Sequence, residues 1–317
     1  MAEEIRYGFA GEADAAFPPM THVVVTNACN LECTHCAYGE IKNRDDYRPA
    51  YLDWGLFARI ADEIAAHPGA ILRFTCDGEP MLHPRFFEMA EYAKKKNLRP
   101  TVLNTNGTLL DDGRIERLMD TGIDVVEVSL NSFSPETYRA LRPGRGDGEY
   151  EEIVRRVNAL VERRDRTKSR TKIMVSMIVL PETEKEAEPF ERYWRERVDR
   201  VIIRVFTNFG GLVKGKSERG DTAKRRPCLV PWRRTTVTSD GRIRYCFNDW
   251  CSQSVLFDMN DGTTLEEAWR SGQMEKLRRD HLELNFRDWP YCGRCTTWSI
   301  LRWDHDYGKA LMKVLED

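Results

Sequence analysis

Cys29-Asn30-Leu31-Glu32-Cys33-Thr34-His35-Cys36 sets three thiols within eight residues. The run directly follows an apolar stretch at 22–26 that reads as the first strand of the chain. Three cysteines on one loop suit three corners of an iron–sulfur cube and leave the fourth iron open to another ligand. The competing reading is a structural zinc site with His35 as fourth ligand, although structural zinc more often draws paired knuckles from separate loops.

Downstream of this loop, short runs rich in Val, Ile, Leu and Thr alternate with amphipathic stretches. Strands are predicted at 22–26, 71–75, 101–105, 124–130, 172–180 and 201–206. Helices are predicted after the N-cap Asp53, at 84–96 beginning with Pro84, and at 113–121, 135–141, 150–163 and 186–198. Six such units joined by right-handed crossovers curl into an open, partial barrel. Ligands in such barrels sit at the C-terminal strand ends, which is where the cysteine loop falls.

The alternation stops after Phe206. Residues 211–227, rich in Gly, Lys and Arg, read as a connection. Beyond it come a hairpin (234–238, turn Ser239-Asp240-Gly241, 242–247), a helix near 265–280, and a tail with Trp298, Trp303, His305 and Tyr307 expected to pack back on the barrel.

The chain has 317 residues, 49 basic and 51 acidic side chains, and nine cysteines. The charge balance argues against a nucleic-acid-coating protein, and Glu218 and Asp221 interrupt the basic run near 214–226. No run approaches eighteen apolar residues, and Glu3, Glu4 and Arg6 break any leader pattern, so a cytoplasmic chain with no membrane partner is expected. In that compartment nine cysteines point to metal ligation rather than disulfides.

Cys-x3-Cys-x2-Cys after a first strand resembles the signature of the radical S-adenosylmethionine (SAM) superfamily. Asp77-Gly78-Glu79-Pro80 resembles the turn that receives the SAM amino group in that family, with Asp77 in place of a glycine. Asn104-Thr105-Asn106-Gly107 and Ser129-Leu130-Asn131 match stretches that contact ribose and carboxylate. The resemblance implies a partial (β/α)6 barrel over residues 20–210, with a [4Fe–4S] cluster on Cys29, Cys33 and Cys36. It further implies SAM contacts at Tyr38, Asp77, Gly78, Glu79, Pro80, Asn104, Asn106, Ser129 and Asn131, and a flavodoxin- or ferredoxin-type reductant. One-electron reduction would cleave SAM to a 5′-deoxyadenosyl radical that abstracts hydrogen from a substrate.

Cys228, Cys246, Cys292 and Cys295 form a second set. By spacing alone zinc and [4Fe–4S] fit it equally. Following such a barrel, Cys-x12-Gly-x4-Cys and the Cys292-Gly-Arg-Cys295 knuckle resemble the shortened, twitch form of the SPASM domain. That implies a small C-terminal α+β iron–sulfur domain at 228–300, with residues 301–317 as the tail, and a fold of class α/β.

The twitch resemblance points to sugar or aminocyclitol substrates in natural-product biosynthesis and to oxidation of a secondary alcohol, with the second cluster taking an electron. The rivals are epimerisation of a sugar or peptide with Cys251 as hydrogen donor, radical dehydration or decarboxylation of a sugar nucleoside, and a zinc-binding interaction protein. For the substrate, Arg204 suits a carboxylate or phosphate, Asn248 and Trp250 suit a polyhydroxylated ligand such as a glycoside, and Asp249 suits deprotonation of a hydroxyl. Cys76 reads as a small buried residue.

Overall fold

The computed structural model describes residues 16–214, 220, 222–301 and 306–316. The sequence readings at Glu3, Glu4, Arg6, Glu218, Asp221, Trp303 and His305 lie outside them. Six strands, β1 (Met20–Val23), β2 (Ile71–Phe74), β3 (Thr101–Thr105), β4 (Val125–Ser129), β5 (Lys172–Val179) and β6 (Arg200–Val205), alternate with helices. The helices are α1 (Tyr38–Lys42), α2 (Trp54–Ala65), α3 (Phe86–Lys95), α4 (Asp112–Asp120), α5 (Pro135–Leu141), α6 (Glu149–Thr167) and α7 (Ala187–Arg195).

The C-terminal part carries α8 (Val230–Arg233), β7 (Arg234–Val237), β8 (Arg242–Arg244), β9 (Val255–Asp258), α9 (Leu265–Trp269), α10 (Gly272–Leu282), α11 (Pro290–Arg294) and α12 (Tyr307–Glu316).

Local chemistry explains several boundaries. Asp53 caps α2 by accepting from the Leu56 amide at 3.0 Å, and Ser134 caps α5 ahead of Pro135. The helix expected from Pro84 starts only at Phe86. The single helix expected near 265–280 is two. Thr264 and Glu267 form a capping box on α9, and Ser271 caps α10 through the Met274 amide.

The strands form one nine-stranded sheet in the order β6-β5-β4-β3-β2-β1-β7-β8-β9. β1 through β6 pair in parallel, as six crossover units require. The C-terminal hairpin joins the same sheet as the barrel. β7 pairs in parallel with β1, Met20 opposite Arg234, so the hairpin extends the barrel's own sheet past its first strand. β1 also starts two residues earlier than the sequence suggested and ends at Val23.

Alternation of side chains sorts the sheet into two faces. Outward-facing Val23, Leu72, Phe74, Leu103, Val126 and Val175 join Phe57, Ile60, Phe86 and Phe190 of the helices in the main core. Inward-facing Met20, Ile71, Val102, Val125 and Met174 meet Leu311 of α12. The tail thus closes the foot of the barrel from inside, a more specific placement than packing on its surface. Two residues further along each strand the inner face turns polar, with His22, Arg73, Asn104, Glu127 and Arg204.

Candidate active site

Above that apolar foot lies a cavity of about 860 Å³, toward the upper end of the roughly 300–1,000 Å³ span of small-molecule pockets. Cys29, Cys33 and Cys36 line its upper end together with Gly78, Glu79, Asn106 and Asn131. The turn after β2 lies directly on the cysteine loop. The Glu79 amide donates to the Ala28 carbonyl at 2.9 Å. A Cβ on Gly78 would lie 2.4 Å from the same oxygen and 2.5 Å from that of Thr26, so only glycine fits.

Burial pushes the Cys29 thiol up to about 12 and raises those of Cys33 and Cys36. Cys29 also feels Cys33, and Cys36 feels both Cys33 and Cys29. Grouped buried thiols favour a cationic partner that stabilises their thiolates. Arg142, 1% exposed, opposes the effect of burial at Cys33. Its guanidinium is held by the Ser129 and Leu130 carbonyls and the Tyr138 hydroxyl.

Glu79 is buried, and its carboxylate accepts from the Met81 amide at 3.2 Å, the Thr105 hydroxyl at 2.8 Å and the Asn106 amide at 2.7 Å. Burial outweighs these donors and raises its pKa to about 7. The side chain therefore caps its own turn while facing the cavity. The Asn106 side chain donates to Asn30 at 2.9 Å and approaches the Cys29 sulfur at 3.8 Å. Asn131 lies 3.3 Å from the His35 ring and accepts from the Ile178 amide. Asn104, accepting from Arg73 at 2.6 Å, and Ser129 complete this wall.

The floor is ionic. Glu127 is fully buried and accepts from Arg73 at 3.3 Å, from Arg204, and from the Tyr307 hydroxyl at 2.7 Å. Burial alone would raise its pKa, but Arg204, Arg73 and Tyr307 hold it near 2. Arg73 also stacks 3.9 Å above the Tyr307 ring. Asp306 pairs with Arg234 at 2.7 Å. Tyr307, expected as tail packing, is thus part of the cavity, as is Asp306. Trp298 is buried, as expected of packing.

Sequence reasoning missed His22 and underrated Cys76. Both line the cavity, with the His22 Nδ1 atom 3.1 Å from the Cys76 sulfur. Burial, then Arg73, Arg234, Arg244 and Arg204, hold His22 well below its usual pKa. Cys76 has a left-handed φ of 87°, uncommon outside glycine.

Several assignments are corrected by position. Cys251 does not line the cavity; its sulfur faces Arg44 at 3.6 Å. Asp249 is fully buried and accepts from the Cys251 amide at 3.2 Å and from the Ser254 amide. Its carboxylate fixes the loop rather than facing a hydroxyl. Tyr38 turns its hydroxyl to Tyr47 at 3.4 Å, and neither it nor Pro80 lines the cavity. Asp77 points away from the cavity to Arg244 of β8 at 2.8 Å. Burial opposes the charge on Arg244, but Asp77 outweighs it. Arg204 does reach the cavity, already bound to Glu127. Asn248 and Trp250 line the wall beside Cys246, while Phe209 packs edge-on against Trp250.

Cys228, Cys246, Cys292 and Cys295 come together behind this wall. Cys246 feels all three of the others, and burial raises it, Cys228 to about 11 and Cys292 to about 12. Gly241, the glycine of the spacing motif, has φ 89°, and a Cβ there would meet Asn260 at 2.7 Å and Leu56 at 2.8 Å. Among the described residues no three His, Cys, Asp or Glu side chains converge as one ion requires.

The family model of the radical SAM superfamily matches residues 23–193, more than half of the chain. The chain belongs to the radical SAM superfamily. An iron–sulfur cluster-binding (SPASM) domain model matches residues 228–296. The cofactors of this radical SAM enzyme are accordingly SAM and [4Fe–4S] clusters, and the zinc-binding interaction protein is set aside.

Among curated relatives, the chain is 32% identical over 111 residues to the tungsten-containing aldehyde ferredoxin oxidoreductase cofactor-modifying protein of Pyrococcus furiosus, covering 35% of this chain and 30% of that one. It is 33% identical over 120 residues to the GTP 3′,8-cyclase of Chlorobaculum tepidum, covering 38% and 34%. The chain spans about a third of the length of these relatives. Its fold is similar to that of BtrN solved with AdoMet and 2-DOIA, with TM-score 0.59, 16% identity, and 91% of this chain and 98% of that one covered. It is also similar to SuiB of Streptococcus suis bound to S-adenosylmethionine, with TM-score 0.65, 12% identity, and coverage of 96% and 76%. No helix among the described residues is long and apolar enough to cross a membrane.

Proposed function

We propose that this radical SAM enzyme oxidises a secondary alcohol of a sugar or aminocyclitol to a ketone. The observation that carries the reading is a cavity bordered at once by Cys29, Cys33 and Cys36 and by Phe247, Asn248 and Trp250, the residues that follow Cys246. When bound, the cofactors supply a 5′-deoxyadenosyl radical to take hydrogen from the substrate and a second cluster to receive an electron.

The chain's own residues hold and enclose. Gly78 and Glu79 offer a backbone edge and a carboxylate to the SAM ammonium, and Asn106, Ser129 and Asn131 offer amide and hydroxyl groups to its ribose and carboxylate. Asn248 and Trp250 face the substrate from the opposite wall, while α12 shuts out water from the foot. The complex of BtrN with AdoMet and 2-DOIA, on a similar fold, supports a small-molecule substrate. A flavodoxin- or ferredoxin-type protein is the reductant in this reading.

Turnover of candidate aminocyclitols and amino sugars in deuterium oxide tests the proposal. A ketone formed with one 5′-deoxyadenosine per product and no solvent deuterium on carbon is expected. A dehydrated or cyclised product would overturn it.

One observation favours a second reading, epimerisation, because Cys76 presents a thiol inside the cavity beside His22. If the enzyme is an epimerase, Cys76→Ala abolishes incorporation of solvent deuterium and Cys251→Ala leaves it intact. Inversion that survives Cys76→Ala would exclude this donor.

A further inference from the structure

The cavity is polarised along its length. Its upper end holds the cysteine loop and Glu79, whereas Arg73, Arg200, Arg204, Arg234, Lys309 and Lys313 line its lower half. Among the described residues the carboxylates at that level are Glu127 and Asp306, and both are already engaged. Glu127 is shared by Arg73 and Arg204, and Asp306 by Arg233 and Arg234. Two carboxylates facing Arg73, Arg200, Arg204 and Arg234 leave an excess of positive charge along this half of the cavity, which Lys309 and Lys313 line from solvent-exposed positions. Two titrating groups respond to that excess. His22 is held neutral by its burial and by Arg73 and Arg234, and Glu127 stays ionised despite complete burial.

The excess is concentrated on one wall. Arg200, Ile202 and Arg204 alternate onto the inner face of β6, and Ile202 packs with the foot cluster around Leu311. Among the described residues the Arg200 guanidinium makes no hydrogen bond or ion pair, although it is half-buried and lines the cavity. The Arg204 side chain is bound to Glu127 on one side and remains 30% exposed. A planar guanidinium with open donors suits the oxygens of a carboxylate or phosphate in two-pronged fashion.

We infer that the substrate is an acidic sugar, carrying a phosphate or a carboxylate that docks on Arg200 and Arg204 at the β6 wall with Lys309 of α12 beside it. The inference rests on reading this cavity as the substrate chamber. It deepens the proposed function by naming the handle by which the sugar is held. The anionic group sits low on the β6 wall, so the carbon that reacts lies toward the cysteine loop.

Binding to the anaerobically reconstituted, SAM-loaded protein tests the site by saturation-transfer NMR. Glucose 6-phosphate, glucuronate and glucose serve as the probes. At least one acidic sugar is expected to bind roughly tenfold or more tightly than glucose, with an affinity that falls as salt rises. Preference for the phosphate or for the carboxylate identifies which group the site takes. Arg200→Gln is expected to weaken that binding roughly tenfold and Arg200→Glu to eliminate it, with iron content unchanged as the check on folding.

Acidic sugars binding no better than glucose, or binding unchanged in Arg200→Glu, would overturn the inference. Measuring SAM cleavage on the same protein separates the two ideas. Acidic-sugar binding without SAM cleavage would sink the proposed reaction and leave the anion site standing. SAM cleavage without acidic-sugar binding would sink the anion site alone.

Discussion

Glu127 illustrates how much one side chain organises. With no exposure it holds Arg73, Arg204 and Tyr307, three groups from β2, β6 and α12. Glu127→Gln would leave two guanidinium groups sharing a neutral amide in a buried setting, a change expected to cost about 3–5 kcal/mol and to lower the urea midpoint. The sign of its pH dependence follows from the depressed pKa. The carboxylate's contribution is fully present above its ordinary value of 4.5 and is lost as pH falls toward about 2. The stability difference between wild type and Glu127→Gln should therefore be the same at pH 6 and pH 8. A difference that changes between those values would show that Glu127 is not held ionised.

At the scale of elements, Asp77–Arg244 ties the turn after β2 to strand β8, and Arg244 continues to the backbone oxygen of Asp249. The residue that departs from the family's glycine thus serves as a bolt between the barrel and the C-terminal hairpin. Asp77→Gly would restore the usual turn yet strand a fully buried guanidinium. A loss of about 3–5 kcal/mol is expected in urea unfolding, with much of it recovered in Asp77→Gly combined with Arg244→Met. Failure of the double variant to recover would mean the turn itself needs aspartate.

Most of these elements were legible beforehand, because parallel strands buried on both faces read as continuous apolar runs. The grouping of the cysteines into two sets was legible for a different reason, their spacing. The site's polar floor was not. Arg73, Glu127 and Tyr307 lie far apart in the chain, and no local pattern announces that one carboxylate will serve all three. The same limit misplaced Cys251 and Asp249, since adjacency to Cys246 says nothing about which side of the loop faces the cavity. Cys76 was undervalued because a single cysteine in sequence does not reveal a histidine 54 residues away at 3.1 Å.

Taken as a whole, the molecule brings one thiol set to the wall of the chamber and groups a second next to the wall residues Phe247, Asn248 and Trp250. After anaerobic reconstitution about eight irons per chain are expected, falling to about four when Cys29, Cys33 and Cys36 are replaced by alanine, and to about four when Cys228, Cys246, Cys292 and Cys295 are replaced. A wild-type value near four would remove the electron acceptor from the proposed reaction.

The pairing of β1 with β7 also has a consequence for how the chain is made. Met20 must wait for Arg234, so during synthesis β1 keeps one open edge until about three-quarters of this 317-residue sequence has left the ribosome. Until then its unpaired amides and carbonyls are available to neighbouring nascent chains, the circumstance in which strands mispair and aggregate. Expression yield should thus depend on slow synthesis and chaperone supply as much as on iron.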